Sequence, residues 1–242
     1  MNLGRAVQPV AYLLAPVLLW QGLRLRRRIP RLGEAAGPAG TTGGESPAVR
    51  LAVLGDSTAA GVGTSSHQEA LAGTLAAAVA IRTGRAVSWR AVARSGATSQ
   101  TARELVPGLV DGDWRPDVVV LCIGVNDLKG LRPLRAWDRD VAALLDAISQ
   151  VTGGAPVIVA GMAPVSRFPS LPQPMRAVMA LRATAMDHTL RRLAGTRHVR
   201  TDPSIIDGSF FAEDGFHPSG RGYRAWAGDL AGPVSAALAT RL

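Results

Sequence analysis

The sequence predicts an α/β fold in which a mainly parallel, five-stranded sheet is covered by helices on both faces, as in a flavodoxin-like three-layer sandwich. From residue 49 onward, short apolar runs rich in β-branched residues alternate with longer runs that have helical spacing. The short runs are bounded by Gly, Pro or Asp, as strands usually are. The 242 residues, of which 47% are hydrophobic, are enough for one substantial core.

The predicted elements follow one another in an order that alternates strand and helix. Strands are expected at residues 50–54, 87–93, 117–123, 156–161 and 198–201. Helices are expected at residues 68–82, 98–109, 134–151 and 175–194, with a closing helix at 223–242 that breaks near Pro233. In parallel sheets of this kind ligands bind beyond the carboxyl ends of the strands, so the residues that follow each strand are the candidate site residues.

The first 48 residues differ from the rest in composition and charge. The chain has a formal net charge of +9. A mostly apolar run from Ala6 to Trp20 is followed at once by a cluster of arginines at residues 24–28. A helix of that apolar length reaches about 22 Å, less than the roughly 30 Å of hydrocarbon in a bilayer. We therefore expect residues 1–32 to be an uncleaved, membrane-seeking segment in which residues 6–31 contact an anionic membrane surface, either flat or as a marginal span.

The same segment bears on location and partners. Arginines that follow an apolar run tend to stay on the cytoplasmic side, so the domain at residues 49–242 is expected to be membrane-associated and to face the cytoplasm. A secreted or cell-envelope location, or a tail with no membrane role, is the alternative. Residues 33–48 are nearly all Gly, Ala, Pro, Ser, Thr and Glu, which predicts a flexible tether. The remaining positive charge is spread thinly, so no nucleic-acid partner is expected.

A serine directly follows the first predicted strand. Ser57 lies in a turn of small residues, where its hydroxyl is well placed to be an exposed nucleophile if a base removes its proton. The segment 214–218 supplies that base, His217, with Asp214 three residues before it. Asp214 would fix the tautomer of His217, which would then accept the Ser57 proton. Taken alone, Asp56 or Ser57 could equally well cap the helix that follows.

Two other strand ends offer hydrogen-bond donors. The second predicted strand is followed by Gly96, whose backbone N–H no side chain obstructs, and the third is followed by Asn126, whose side-chain amide can donate. Donors of this kind stabilise the oxyanion of an acyl-transfer reaction, and each can lower the barrier by about 3 kcal/mol. As isolated features, both are also ordinary turns or helix caps.

Together these motifs resemble the four blocks of the SGNH subgroup of GDSL hydrolases, which are named for a Ser, a Gly, an Asn and a His. The resemblance implies a three-layer α/β/α fold, no metal or organic cofactor, and hydrolysis of esters or thioesters with Ser57 as the nucleophile. It also implies an oxyanion hole made of the Ser57 N–H, the Gly96 N–H and the Asn126 side chain. The matching blocks are Gly55-Asp56-Ser57, Gly96, Gly124-Val125-Asn126-Asp127 and Asp214-Gly215-Phe216-His217-Pro218.

A proline-rich loop at residues 163–175 is expected to border the site, because four prolines prevent it from forming a strand or a helix. We interpret its apolar side chains, with three phenylalanines near the last block, as an acyl pocket for short-chain or lipid-like esters; they are Phe168, Leu171, Met175, Phe210, Phe211 and Phe216. The same residues could instead simply cover the core. A membrane-tethered module that binds acyl ligands with little turnover, a thioesterase and a carbohydrate deacetylase are the alternative functions.

Overall fold

The computed structural model of the chain describes residues 14–43, 45–201 and 205–240. The helices are α1 (Ala15–Arg28), α2 (Leu71–Thr83), α3 (Val125–Lys129), α4 (Leu134–Thr152), α5 (Met175–Ala194) and α6 (Gly220–Ala239). The strands are β1 (Ala39–Thr42), β2 (Glu45–Gly55), β3 (Arg85–Ala93), β4 (Val118–Cys122), β5 (Val157–Ala160) and β6 (His198–Val199). Short 3₁₀ helices lie at Thr101–Leu109, Val165–Arg167, Gly195–Arg197 and Gly208–Phe210.

The strands form a six-stranded sheet in the order β1-β3-β2-β4-β5-β6. Strands β2 to β6 pair in parallel, and β1 alone pairs antiparallel, with β3. The predicted parallel α/β sheet is confirmed, but its predicted count of five strands is wrong, because β1 adds a sixth at one edge. Every residue of the central strand β4 is buried, which explains why its sequence is apolar without alternation.

Helices cover both faces of the sheet, and each face has its own apolar core. Successive residues of a strand point to opposite faces. In β2, Leu54 packs on the side of α4, in the same cluster as Leu144, whereas Leu51 packs on the side of α2 and α6. The three-layer arrangement leaves the carboxyl ends of β2, β3 and β4 at one edge, which is where the predicted site residues begin.

Residues 33–43, predicted to belong to a flexible tether, are part of the folded domain. Strand β1 pairs with β3 from Ala39 opposite Arg90 to Thr42 opposite Val87, and Ala36 bridges to Ser66. A side chain at Gly40 would collide with the ring of Trp89, only 2.5 Å from the position of an added Cβ. The small residues that resembled a linker therefore allow the backbone to lie directly on a buried tryptophan.

Two helical predictions differ from the structure. The segment Thr101–Leu109 is a 3₁₀ helix and contains Pro107. Helix α6 starts at Gly220, where the Ser219 side chain accepts a hydrogen bond from the Gly222 N–H, and it continues through Pro233. The predicted break is absent because an apolar stripe on both sides of Pro233 packs against the core; the stripe comprises Leu230, Val234 and Leu238.

Helix α1 packs on the domain through one of its faces. Leu18 is buried in the α4-side core, with Leu14 and Leu25 packed beside it. The Gln21 side chain donates to the Gln173 carbonyl at 2.7 Å and accepts from the Met175 N–H at 3.3 Å. The predicted apolar run at residues 6–20 lies partly in residues 1–13, outside the described residues. In the ranges that the structure describes, no helix has the length and apolar character needed to cross a bilayer.

Gly55, at the end of β2, lies directly against the backbone of β4. A Cβ at this position would lie 2.0 Å from the Cys122 carbonyl oxygen of β4, which is backbone and cannot move aside. We expect Gly55→Ala to lower the free energy of unfolding by about 3 kcal/mol, measured by urea denaturation. Gly228→Ala is the control: an added Cβ in this exposed turn of α6 meets nothing within 4 Å, so stability should rise by about 0.5–1 kcal/mol. Equal stability of the two variants would contradict the prediction.

Candidate active site

The structure brings together Ser57, His217 and Asp214 from opposite ends of the domain. Ser57 follows β2, and the other two lie in the loop before α6. The Ser57 Oγ is 2.9 Å from His217 Nε2, and His217 Nδ1 is 2.5 Å from Asp214 Oδ2. A carboxylate can only accept a hydrogen bond, so Nδ1 carries the ring proton and Nε2 is left to accept the Ser57 hydroxyl proton.

The Asp214 carboxylate is held by several donors. Its Oδ1 accepts from the backbone N–H groups of Phe216 and His217, both at 2.9 Å. Burial raises the pKa of this carboxyl, but the hydrogen bonds from the His217 ring and from the two N–H groups outweigh it, so the pKa lies below its ordinary value. Asp214 is therefore ionised at neutral pH and orients the imidazole.

The turn that carries Ser57 is held by its own backbone and by Asp56. The Val62 N–H donates to the Ser57 carbonyl at 3.0 Å. Asp56 Oδ1 accepts from the Thr58 hydroxyl at 2.7 Å and from the Thr58 N–H at 3.1 Å. Burial raises the pKa of Asp56, and the hydrogen bonds from Thr58 oppose this rise. The buried hydroxyl of Tyr223 in α6 donates to the Val62 carbonyl at 2.8 Å, which ties this turn to the last helix.

Gly96 and Asn126 lie at the neighbouring strand ends. Gly96 has a φ of +84°, a conformation that favours glycine. The Asn126 side-chain amide donates to the Ala97 carbonyl at 2.9 Å and approaches Asp56 Oδ2 at 3.4 Å. Among the described residues, no acceptor is bonded to the backbone N–H groups of Ser57 and Gly96. Both N–H groups and the Asn126 amide thus occupy the strand-end edge where the sequence predicts an oxyanion site.

Sequence reasoning missed the buried pair that joins the loops of Gly96 and Asn126. The Asp127 carboxylate accepts from the Ser99 N–H at 2.9 Å and from the Ser99 hydroxyl at 2.7 Å. Burial raises the pKa of Asp127, and the hydrogen bonds from Ser99 oppose the rise. The signal was present in the sequence, since an acidic residue directly after Asn126 at a buried strand end needs a donor.

A second missed contact comes from the segment before β1. The Glu34 carboxylate accepts from the Ser95 N–H at 2.7 Å, immediately before Gly96. The next residue, Ala35, donates from its N–H to the Ala60 carbonyl in the Ser57 turn at 3.0 Å. This segment therefore contacts both loops of the candidate site. No sequence signal pointed to Glu34, because its surroundings have the composition of a linker.

Aromatic residues form one wall of the cleft beside His217. The chain has four phenylalanines. The Phe216 ring lies 5.1 Å from the His217 ring and 4.9 Å from the Phe168 ring, measured between centroids. Phe210 and Phe211 continue the wall, and all four rings line the cleft that contains Ser57 and His217. Phe168 and Phe216, two of the residues predicted to form an acyl pocket, are thus among those that line this cleft, and their role in binding stays a prediction.

Leu171 and Met175, the other two predicted pocket residues, do not line this cleft. Both are buried in the α4-side core, with 9% and 6% of their surface exposed. This burial favours the alternative that the two residues cover the core, and Met175 lies next to α1. Gly22 of α1 lies so close that a Cβ there would be 3.7 Å from the Met175 Cε.

A mainly parallel α/β sheet with hydrogen-bonded Ser, His and Asp side chains at its carboxyl edge is typical of serine hydrolases. The model of the GDSL-like lipase/acylhydrolase family matches residues 53–225, a range that contains all three side chains. The chain belongs to this family.

Similar proteins agree with the family. The chain is 29% identical over 196 residues to the GDSL-like esterase Rv1075c of Mycobacterium tuberculosis (strain ATCC 25618 / H37Rv). The aligned region covers 75% of this chain and 60% of that protein. It thus spans well under two thirds of the length of that curated relative. Two solved structures show the same fold. TesA superposes with a TM-score of 0.61 and is 18% identical, and the superposed region covers 78% of this chain and 99% of the TesA chain. The Clostridium thermocellum family 3 carbohydrate esterase has a TM-score of 0.59 at 21% identity, covering 80% and 98%.

Proposed function

We propose that this chain hydrolyses carboxylic esters with Ser57 as nucleophile, His217 as general base and acid, and Asp214 as the group that orients His217. The observation that carries the proposal is the unbroken hydrogen-bonded chain from the Ser57 hydroxyl through the imidazole to the Asp214 carboxylate, with contacts of 2.9 and 2.5 Å. A serine hydroxyl is a weak nucleophile unless a base lies within hydrogen-bond reach, and here the base and its orienting carboxylate are both in place.

The reaction follows from this geometry in two stages. The Ser57 Oγ attacks the acyl carbon while its proton passes to His217 Nε2, and the carbonyl oxygen becomes an oxyanion. The tetrahedral intermediate collapses when the ester bond breaks and His217 returns the proton to the leaving alcohol. Water then attacks the acyl-enzyme, again giving its proton to Nε2, and the acid product leaves as Ser57 is regenerated.

The oxyanion is stabilised in this proposal by the Ser57 N–H, the Gly96 N–H and the Asn126 amide. The two backbone donors have no partner among the described residues, so they can bind the oxyanion without first breaking another bond. The Asn126 amide donates one N–H to the Ala97 carbonyl at 2.9 Å, which fixes its orientation, and its other N–H, now 3.4 Å from Asp56 Oδ2, would exchange that longer contact for the oxyanion. Preorganised donors of this kind each contribute about 3 kcal/mol because they need no reorientation during the reaction.

The substrates we propose are esters with short acyl groups. Four phenylalanine rings line the cleft beside His217 and suit an apolar acyl chain, while Leu171 and Met175, which would have lengthened the pocket, are buried in the α4-side core. The names of two relatives contain the word esterase, and one of them is a carbohydrate esterase. Acetylated carbohydrates, whose acyl group is the shortest, therefore belong in the substrate panel beside simple alkyl esters.

An alkyl fluorophosphonate tests the proposal directly, because it forms a stable bond only with an activated serine. The full chain should gain one adduct by intact-mass spectrometry, mapped by peptide analysis to Ser57, and should hydrolyse p-nitrophenyl esters fastest at acetyl to butyryl. Ser149→Ala, at an exposed serine of α4, is the matched control and should label fully. Absence of an adduct together with no hydrolysis from acetyl to dodecanoyl would favour an acyl-binding module instead.

Glu34 provides a test of how the Gly96 loop is positioned. Glu34→Ala removes the acceptor of the Ser95 N–H, so we expect kcat for p-nitrophenyl acetate to fall about 10-fold. A factor of this size corresponds to the free energy of one charge-assisted hydrogen bond that solvent partly screens. KM should change little, because the Gly96 N–H acts on the oxyanion more than on the bound ester. Glu34→Gln, which keeps an acceptor oxygen, should recover most of kcat.

Glu104→Ala is the control for that measurement. Glu104 pairs with the Arg94 side chain near the same loop at 2.9 Å but bonds no backbone N–H there. An exposed pair of this kind contributes little, so kcat should stay within about 2-fold of the unmodified chain. A Glu34→Ala variant with unchanged kcat would show that the Gly96 loop holds its position without Glu34.

A further inference from the structure

Helix α1 exposes a face that the folded domain does not use. Its inner face packs on the core through Leu18 and Leu25, and Gln21 fixes it to the loop before α5. Seven large apolar side chains are exposed in the part of the chain that the structure describes, and four of them lie on α1. They are Val17, Leu19, Trp20 and Leu23, with 44%, 67%, 58% and 55% of their surface exposed.

Arginines follow the exposed apolar residues, in the last turns of α1 and just beyond it. Arg24 lies over the Trp20 ring at 5.2 Å from its centroid. Within the described residues, no carboxylate oxygen lies within 4 Å of the exposed guanidinium groups of this region, which are those of Arg24, Arg27, Arg28 and Arg31. Residues 14–33 contain no Asp or Glu at all. The face therefore offers both apolar area and unneutralised positive charge.

We propose that the outward face of α1 binds an anionic lipid bilayer, with the helix lying flat at the headgroup level. Such a surface supplies both of the partners that this face needs, acyl chains for the apolar residues and phosphate groups for the arginines. A tryptophan beside an arginine is suited to that depth, because its ring is apolar and its N–H stays near water. Nucleic acid would match the charge but leave the four apolar side chains in water.

The docking of α1 on the domain gives this surface a consequence for the proposed active site. A groove separates α1 from the His217 loop, with Trp20 and Arg24 on one side and Ser170 and Asp214 on the other. The bilayer-bound helix and the loop of the triad are therefore neighbours in one folded unit, and the domain cannot swing freely on a tether. This inference about substrates rests on the proposed hydrolysis. The arrangement favours esters presented at the membrane surface over esters in solution.

Vesicle flotation tests the surface without depending on activity. The full chain should float with phosphatidylcholine vesicles that contain 30% phosphatidylglycerol and should not float with pure phosphatidylcholine. Replacing Arg24, Arg27 and Arg28 together by Gln should lower the partition coefficient on the order of 100-fold. Trp20→Ala combined with Leu23→Ala should also lower it at least 10-fold. The charge-matched control replaces three exposed arginines elsewhere by Gln; they are Arg103, Arg115 and Arg197.

Three outcomes would overturn the proposal. The first is flotation of the α1 variants as complete as that of the unmodified chain. The second is equal binding to both vesicle types. The third is a dimer in sedimentation without lipid that the α1 substitutions abolish, which would assign the face to a second copy of this chain.

The substrate consequence has its own readout. The α1 variants should hydrolyse soluble p-nitrophenyl acetate like the unmodified chain but lose most of their hydrolysis of a short-acyl ester embedded in the phosphatidylglycerol vesicles. If no ester is hydrolysed by any variant, the proposed function fails while the flotation result still decides the membrane surface. Equal loss on both substrates would contradict the proposed preference for esters at the membrane.

Discussion

Replacing Ser57 with alanine should lower kcat for p-nitrophenyl acetate by roughly 10³ to 10⁶-fold, because, among the described residues, no other hydroxyl or thiol of the cleft is hydrogen-bonded to His217. The nucleophilic oxygen is lost, whereas the oxyanion donors and the phenylalanine wall remain. KM should therefore change much less than kcat. Stopped-flow measurement of the nitrophenolate burst checks the result, since the burst reports acylation directly.

The same variant must be shown to be folded. The Ser57 side chain bonds to His217 and to no other described side chain, so the urea midpoint of Ser57→Ala should stay close to that of the unmodified chain. Ser149→Ala should keep full kcat. A Ser57→Ala protein that retains more than a tenth of the original kcat would remove Ser57 from the mechanism.

Replacing Asp214 with asparagine should lower kcat by about 10⁴-fold while leaving the loop folded. The asparagine oxygen can still accept from the N–H groups of Phe216 and His217, which donate to Asp214 Oδ1 in the unmodified chain. Its NH₂ group, however, would face His217 Nδ1 and donate to it. The ring proton would then move to Nε2, and the imidazole could no longer accept the Ser57 proton.

Asp207→Asn is the matched control for this change. Asp207 lies in the same stretch of chain, and its side chain caps the short 3₁₀ helix by accepting from the N–H groups of Ser209 and Phe210. An asparagine there also caps well, so kcat should remain within about 2-fold. Activity of Asp214→Asn near that of Asp207→Asn would show that the carboxylate does not set the tautomer of His217.

The parts of the site that could be predicted are those in which chemistry dictates the residue type. Ser57, Gly96 and Asn126 follow three strands whose carboxyl ends meet at one edge of the parallel sheet, and His217 stands three residues after Asp214 in a short motif. The apolar run of β4 likewise predicted a buried strand, since a strand that is covered on both faces has no polar side. The sequence therefore predicted that Ser57, Asn126 and His217 would lie close together, and their assignment as catalytic residues stays a prediction.

The parts that could not be predicted depend on contacts between distant segments. The sequence around Gly40 is typical of a linker, because no nearby residue in the chain indicates that the Trp89 ring will lie against this glycine. Glu34 bonds a backbone N–H, and a backbone N–H has no sequence signature. Leu171 and Met175 are apolar in a loop, which fits a pocket as well as a core, and only the position of α1 decides between them.

The hydrogen bond between Ser57 and His217 joins residues 160 positions apart in the chain. Such a contact is among the last that a chain can make during synthesis, because the ribosome must release the loop before α6 and then α6 itself, whose Tyr223 holds the serine turn. A nascent chain of 200 residues already has its serine and most of its sheet but has no histidine to activate that serine. The proposed hydrolysis therefore requires the whole domain, and we expect Ser57 to remain unreactive toward esters until the loop before α6 has been made.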